Sequence, residues 1–355
     1  MKNLVFNKKT LQAIIIGVIF LTSVFYILNS AFAQNSSSNY DVTVSPVFFD
    51  LTSNPGDTLS EKIKIRNNTS SPIAIILQVK GISGDLNGNL TLKEDKLNQA
   101  VNWVNFQDTK ETLKPLEWTE IPFTIQVPKD AAYGYYVAVS FTQDKQSTLK
   151  NTGASITGAA AVPILLNVRK PGAKSDAKIL NFSVDNYVNE YLPINFNTKI
   201  QNTGNIHVKP HGNIFISTGN NKNIAILDVN GGLGSILPQS ARIFQSSWSD
   251  GFIVNQPIIE NGQPKLDKNG KIQTHLVVSW NKLTSFRFGK YTANLLLVFD
   301  NGKRDVPLET SVSFWVIPYK VIIGVIISVI LLIIIIRFLL KYYINRQIKK
   351  RLGTS

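Results

Sequence analysis

The chain contains no cysteine and only one methionine in 355 residues. That excludes disulfides, thiolate metal sites, Cys-x-x-Cys redox chemistry and a cysteine nucleophile, so stability has to come from apolar cores. Histidine is nearly as scarce, with His207, His211 and His275 the only three. His207 and His211 are four apart, a spacing that suits a helix. Pro210 and Gly212 place them instead in an extended or turn segment, where ordinary turn histidines are favoured over a metal pair. Gly-x-Ser-x-Gly and Gly-x-Gly-x-x-Gly are both missing. The Gly-rich stretch Gly231–Ser235 runs into Ile236-Leu237-Pro238 rather than a helix, so it reads as a loop. These gaps argue against an enzyme and lead to an expectation of no cofactor and no metal.

Negative charge is absent from both ends. The net charge of +14 would suggest a nucleic-acid binder if it were spread along the chain. Residues 1–33 hold Lys2, Lys8 and Lys9 with no acid, and residues 320–355 hold seven basic residues with no acid. The stretch between keeps 27 basic against 23 acidic residues, so nucleic acid is not an expected partner. Both ends read as membrane signals. A basic start, the apolar run Leu11–Leu28 and the small-x-small pattern Ala31-Phe32-Ala33 describe a signal peptide over 1–33, cut before Gln34. Near the other end, 320–340 is long enough to cross a bilayer at 1.5 Å per residue. Trp315 and Tyr319 flank it on one side and Tyr342 and Tyr343 on the other, and Arg337 can snorkel to the headgroups. The basic tail 341–355 is expected on the cytoplasmic side, with the rest of the mature chain outside.

Between the ends, short period-two runs dominate. In "LSEKIKIRNN", Leu59, Ile63 and Ile65 alternate with Ser60, Lys62, Lys64 and Arg66, and "SPIAIILQV", "WTEIPFTIQV" and "AAVPILLNV" have the same character. "DKLNQAVNWVNF" is the one helical hint, read as a short helix or turn between strands. "VRKPGAKSDAK" marks a boundary, with the linker at 171–178. Strand-like runs then resume in "LPINFNTKIQNTG", "NIAILDV", "KYTANLLLVFD" and "DVPLETSVSFWVI", with Asn301-Gly302 as a hairpin turn. The expected class is all-β: two Ig-like β-sandwiches in tandem, over 40–170 and 179–317, followed by one C-terminal transmembrane helix.

Two internal echoes support a repeated sandwich. "KIRN" at Lys64–Asn67 matches "KIQN" at Lys199–Asn202, and "GYYVA" at Gly134–Ala138 matches "GKYTA" at Gly289–Ala293 in the same order. Extra residues in the second copy fall around Asn255–Lys271. The second echo assigns Tyr136 and Tyr291 to the corner tyrosine of the Ig-like sixth strand, whose hydroxyl bonds back to the chain.

"FFDLTSNPGDTLSEKIKIRNNT" (Phe48–Thr69), "NWVNF" (Asn102–Phe106) and "IPFTIQVPKDAAYGYYVAVSF" (Ile121–Phe141) resemble the first domain of the WxL-interacting protein family. Members of that family are Gram-positive surface proteins with the same end-to-end layout. The resemblance covers 40–170 and the layout. It implies a peptidoglycan-binding first domain and a second domain that docks a protein partner at the cell surface. "NTGNIHVKPHGNIFI" departs from the family's second domain.

The expected function is therefore a membrane-anchored extracytoplasmic binding or scaffold protein for cell-wall polymer or a surface protein. The alternative is a membrane-tethered, chaperone-like assembly factor that acts by β-strand addition. The candidate ligand-binding residues are Trp103 and Phe106, exposed aromatics for glycan unless they pack in a core, and Lys62, Lys64 and Arg66, a basic row for anionic polymer unless it is a solvated strand face. "DLNGNL" sets Asp85, Asn87 and Asn89 at positions one, three and five of a calcium loop. Leu90 and Lys96 then break the pattern, and Asn87-Gly88 reads more simply as a hairpin turn.

Overall fold

The computed structural model describes residues 40–93, 98–144, 159–219 and 221–351. The expected signal peptide and Lys96 of the broken calcium pattern lie outside the described residues.

Among the described residues, ten strands precede the linker. They are β1 (Val42–Ser45), β2 (Phe49–Ser53), β3 (Thr58–Asn67), β4 (Ile73–Gly84), β5 (Leu90–Lys93), β6 (Val104–Phe106), β7 (Lys110–Leu113), β8 (Trp118–Gln126), β9 (Tyr133–Gln143) and β10 (Ala159–Val168). One sheet has the order β1-β3-β8-β6 and the other β2-β10-β9-β4-β5, with β7 also paired to β4. Alternation decides which side chains meet between them. On β3, Ile63 and Ile65 are fully buried while Lys62, Lys64 and Arg66 face out. Ile121, Phe123 and Ile125 from β8 and Val137, Val139 and Phe141 from β9 complete the core. The helical hint is a single 3-10 turn, Gln99–Asn102, capped by the Asn98 side chain.

Twelve strands follow: β11 (Ala177–Val184), β12 (Val188–Asn189), β13 (Ile194–Asn202), β14 (His211–Thr218), β15 (Asn221–Val229), β16 (Ala241–Trp248), β17 (Ile253–Pro257), β18 (Ile259–Glu260), β19 (Gln263–Pro264), β20 (Thr274–Val278), β21 (Gly289–Asp300) and β22 (Asp305–Val316). The sheets β11-β13-β16 and β12-β22-β21-β14-β15 enclose a separate core around Trp248, Phe196, Tyr291 and Phe314. The class is thus mostly β, with Ig-like sandwiches and, among the described residues, a single long helix, α1 (Tyr319–Arg351). Tyr319–Asn345 is long and apolar enough to cross a membrane, and none of it is buried against the rest of the molecule.

The first echo marks a genuine equivalence. Asn67 and Asn202 are both fully buried at the end of the third strand of their sandwich, opposite Val42 and Ala177. Each Nδ2 donates to the carbonyl four residues on, Ser71 or Ile206, and to a distant carbonyl, Leu113 at the end of β7 or Ile236 in the β15–β16 loop. Each Oδ1 accepts from the backbone N–H two residues on, Thr69 or Gly204. Four bonds per amide is what a buried asparagine needs, and these come close to it.

The second echo is out of register by one residue. The Tyr291 hydroxyl accepts from the Phe288 N–H at 3.0 Å, as a corner tyrosine should. In the first sandwich the hydroxyl that does this belongs to Tyr135, which accepts from the Ala132 N–H at 3.1 Å. Tyr136 is the next residue on a strand, so it points to the opposite face and leaves the sandwich core. The corner assignment therefore moves from Tyr136 to Tyr135.

Candidate functional site

The linker is stitched to what surrounds it. Arg169 N–H donates to Ser53 O, Lys174 N–H to Asn205 Oδ1, and Ser175 Oγ to Asp300 O, while Asn205 Nδ2 returns a bond to Gly172 O. Direct contacts then join the sandwiches. Gly134 N–H donates to Asn205 O, and Ile243 N–H donates to Leu86 O at the tip of the β4–β5 hairpin. Beside that tip, a Cβ on Gly88 would lie 2.2 Å from the Arg242 guanidinium, so only glycine fits without displacing the arginine.

At the centre of this junction is an acid held by two bases. Asp50 on β2 places Oδ1 3.1 Å from His207 Nε2, and its Oδ2 is ion-paired with Lys209 Nζ. The His207 side chain is 4% exposed, and the Tyr136 ring meets it edge-on at 5.9 Å. Burial works to raise the Asp50 carboxyl, but hydrogen bonds and charge from His207 and Lys209 outweigh it and hold the group at about 2. Burial pushes the Tyr136 hydroxyl well above the ordinary phenol range. An acid so firmly ionised and doubly bonded is a poor proton acceptor at neutral pH. Asp50 is a strut between the sandwiches. The adjoining cavity of about 690 Å³ is lined by Asp50, Arg169, His207, Lys209 and His211 together with Asp300 and Asp305.

The same strand β2 leaves an edge open. It pairs in parallel with Ile164–Val168, the second half of β10. The first half, Ala159–Pro163, pairs with β9 on one side and, among the described residues, with no strand on the other. Pro163 sits where the edge opens, as a residue without an N–H can only at a sheet edge or bulge. Val47 and Phe48, the two residues before β2, are 67% and 47% exposed, so apolar surface flanks the opening.

The sequence candidates fall elsewhere. Trp103 is 7% exposed and packs on Tyr135 with ring centroids 4.2 Å apart, so it is a core residue and offers a glycan no face. Phe106 is partly buried against Phe123. Lys62 and Lys64 face solvent and share Glu120 at 3.0 and 2.9 Å, while Arg66 Nε donates to Leu116 O. That row lies on β3, an interior strand, so it guards no edge. Asp85 spends its oxygens on the N–H groups of Asn87 and Asn89 and on Asn89 Nδ2, as a hairpin turn does. His211 is exposed and close to Lys209 O, apart from His207's partners. Sequence reasoning missed Asp50, Lys209 and the β10 edge. Asp50 and Lys209 are 159 positions apart, and no local pattern pairs them. Pro163 inside an apolar run was the one available sign of an edge.

No protein-family model and no curated protein matches the chain. Among solved structures it is similar to the class 5 fimbriae chaperone CfaA, at 15% identity over 76% of this chain and 98% of that one, with a TM-score of 0.36. It is also similar to the E. coli chaperone DraB, at 10% identity over 76% and 98% with a TM-score of 0.32. The third is the CsuC–CsuE chaperone–tip adhesion subunit complex of Acinetobacter baumannii, at 10% identity over 76% and 98% with a TM-score of 0.34. At these identities and scores no residue role passes from any of them to this chain.

Proposed function

We propose that the chain is a membrane-tethered, extracytoplasmic binding protein that captures an extended segment of a protein partner by strand addition to β10. The observation that carries this reading is the Ala159–Pro163 edge, which no strand among the described residues pairs on its outer side, bordered by exposed Val47 and Phe48 and touched at the Ala160 backbone by the Tyr40 hydroxyl. An incoming strand would hydrogen-bond to this edge and set alternate side chains against the apolar border. The stitched linker and the Asp50 strut hold the second sandwich at the Val168 end of β10, which leaves the Ala159–Pro163 end clear of the junction. The helix α1 supplies the tether. The basic start and tail of the sequence support placing the sandwiches outside and the tail in the cytoplasm. A wall-polymer role, implied by the resemblance to WxL-interacting proteins, is the second reading, and the outward row Lys62, Lys64 and Arg66 is what favours it.

The test uses the full chain in lipid nanodiscs and a short peptide of alternating valine and threonine. Its N-methylated forms block one edge of the peptide at a time. Strand addition predicts that methylation on one parity abolishes binding and on the other leaves it intact. Equal loss on both parities, or no binding by any form, refutes it. Retention of the chain on isolated cell walls after protease treatment would support the polymer reading instead.

A further inference from the structure

A long insertion hangs from the end of the second sandwich that faces α1. In the first sandwich, β8 passes to β9 through residues 127–132, whereas β16 passes to β21 through residues 249–288. Both ends of this insertion lie at the helix end of the sheet. Trp248 pairs with Ile194 and Gly289 pairs with Val316, the last residue of β22. Only Ile317 and Pro318 separate β22 from α1. Phe288 therefore lies within roughly 10 Å of the first helical turn.

Nothing in that connection is slack. Trp315 N–H donates to Tyr187 O and Ile317 N–H to Asn189 O, and Lys320 Nζ is 2.7 Å from Glu190 Oε2. A membrane crossed by α1 must meet this end of the sandwich, because no stalk holds it away.

This end is unusually apolar. Trp280 is 77% exposed, and Leu283, Phe286 and Phe288 are all exposed on the short helical turn Trp280–Ser285 and the residues after it. Phe252 braces them from behind, its ring 5.5 Å from Trp280 and 6.3 Å from Phe286. Tyr187, Val188, Trp315 and Tyr319 are exposed at the same end. Basic groups are set among them: Lys282 pairs with Asp250 at 2.6 Å, and Arg287 stacks over Trp248 while donating to Asp250 O. Aromatics interleaved with basic residues beside a membrane-crossing helix are the composition of a headgroup-level belt. Scattered exposed apolar residues need no partner, but a contiguous group of large ones does.

We infer that the Trp280–Phe288 face of the insertion is a second membrane contact, seated in the headgroup and upper acyl region of the leaflet that α1 enters. It rests on the reading of α1 as a membrane span. The partner is the lipid surface. The insertion and α1 together fix the sandwich at two points, so the second sandwich is held at a set tilt rather than swivelling about one helix.

The experiment reconstitutes the full chain into vesicles of phosphatidylcholine and phosphatidylglycerol, with lipids brominated high on the acyl chain. Vesicle flotation reads α1 separately. The expected result is that the chain floats with the vesicles, that brominated lipid quenches tryptophan emission, and that W280F removes about half of that quenching, with Trp315 supplying the rest. W118F, which removes an exposed tryptophan of the first sandwich, should leave lipid quenching unchanged. A chain that floats while W280F leaves the quenching unaltered overturns the inference and spares the anchor. If aqueous acrylamide quenches Trp280 instead, the face is in water and the inference fails. If neither quencher reaches it, a second copy of the chain covers the face, and the inference fails again. A chain that does not float overturns both readings.

Discussion

Removing the Asn202 side chain tests the most specific claim made for the two sandwiches, that each is closed by one buried amide. Asn202→Ala deletes three bonds at once: to Ile206 O, Ile236 O and Gly204 N–H, the last two at buried positions. A buried backbone group left without a partner costs about 1–3 kcal/mol, so two of them set an expected loss of about 3–4 kcal/mol once partial relaxation of the loop is included. Asn67→Ala removes the matching bonds to Ser71 O, Leu113 O and Thr69 N–H, of which only the Leu113 bond is buried, and should cost about 1–3 kcal/mol. The assay is urea unfolding of the full chain in nanodiscs. It is followed by hydrogen exchange on β3 and β8 for one sandwich and β13 and β16 for the other. Each variant should lose protection first in its own sandwich. A loss below about 1 kcal/mol at Asn202 would mean that water or loop movement replaces the amide, and the argument from unsatisfied groups would be wrong.

Three further outcomes follow from the junction and the corners. Asp50 has its carboxyl held at about 2 in the fold against an unperturbed value near ~3.9, so its contribution is present above the unfolded value and is lost as pH falls through about 2. Asp50→Asn should therefore flatten the acid limb of hydrogen-exchange protection at Asn205 and His207, and an unchanged limb would contradict the strut. Tyr135→Phe leaves the Ala132 N–H without its partner and should cost the first sandwich about 1 kcal/mol in urea unfolding. Tyr136→Phe should spare that core and loosen protection around His207, and the reverse ranking would restore Tyr136 to the corner. Gly88→Ala, at a left-handed φ of +84° that disfavours a Cβ, adds about 1 kcal/mol of backbone cost and displaces Arg242. Faster proteolysis of the linker 171–178 is the expected readout.

How much was legible from the residues alone depended on the range of the interaction. The alternation of Leu59, Ile63 and Ile65 against Lys62, Lys64 and Arg66 reports directly on which face of β3 is buried, because that is a local, period-two property. The repeat "K-I-x-N" was legible for the same reason: an asparagine ending a strand meets its own loop within four residues. The tyrosine echo misled because Gly134-Tyr135-Tyr136 offers two tyrosines to one motif, and a match by letter cannot see which one faces the core. For Trp103 the residues left two readings open, a glycan platform and core packing, and the structure takes the second. The polar neighbours of Trp103 suggested a surface, yet Tyr135 comes from a distant strand to cover it. The junction was invisible, since Asp50, Tyr136 and His207 come from separate elements and neither local period nor spacing joins them. The linker's Pro, Gly and Lys composition marked a boundary, but composition says nothing of partners such as Asn205 and Asp300.

The position of β22 has a consequence for the order in which the molecule is completed. It is paired on both sides, to β21 along its whole length and to β12 at Val188 and Asn189. Synthesis proceeds from the N-terminus, so every strand of the first sandwich exists once Val168 has been made. The second sheet stays without β22 until Val316, two residues short of Pro318. His207, Lys209 and the whole of β16 are made well before β22, so the groups that join the two sandwiches exist before the second sandwich is complete, and β22 is the last of the described strands to be synthesised.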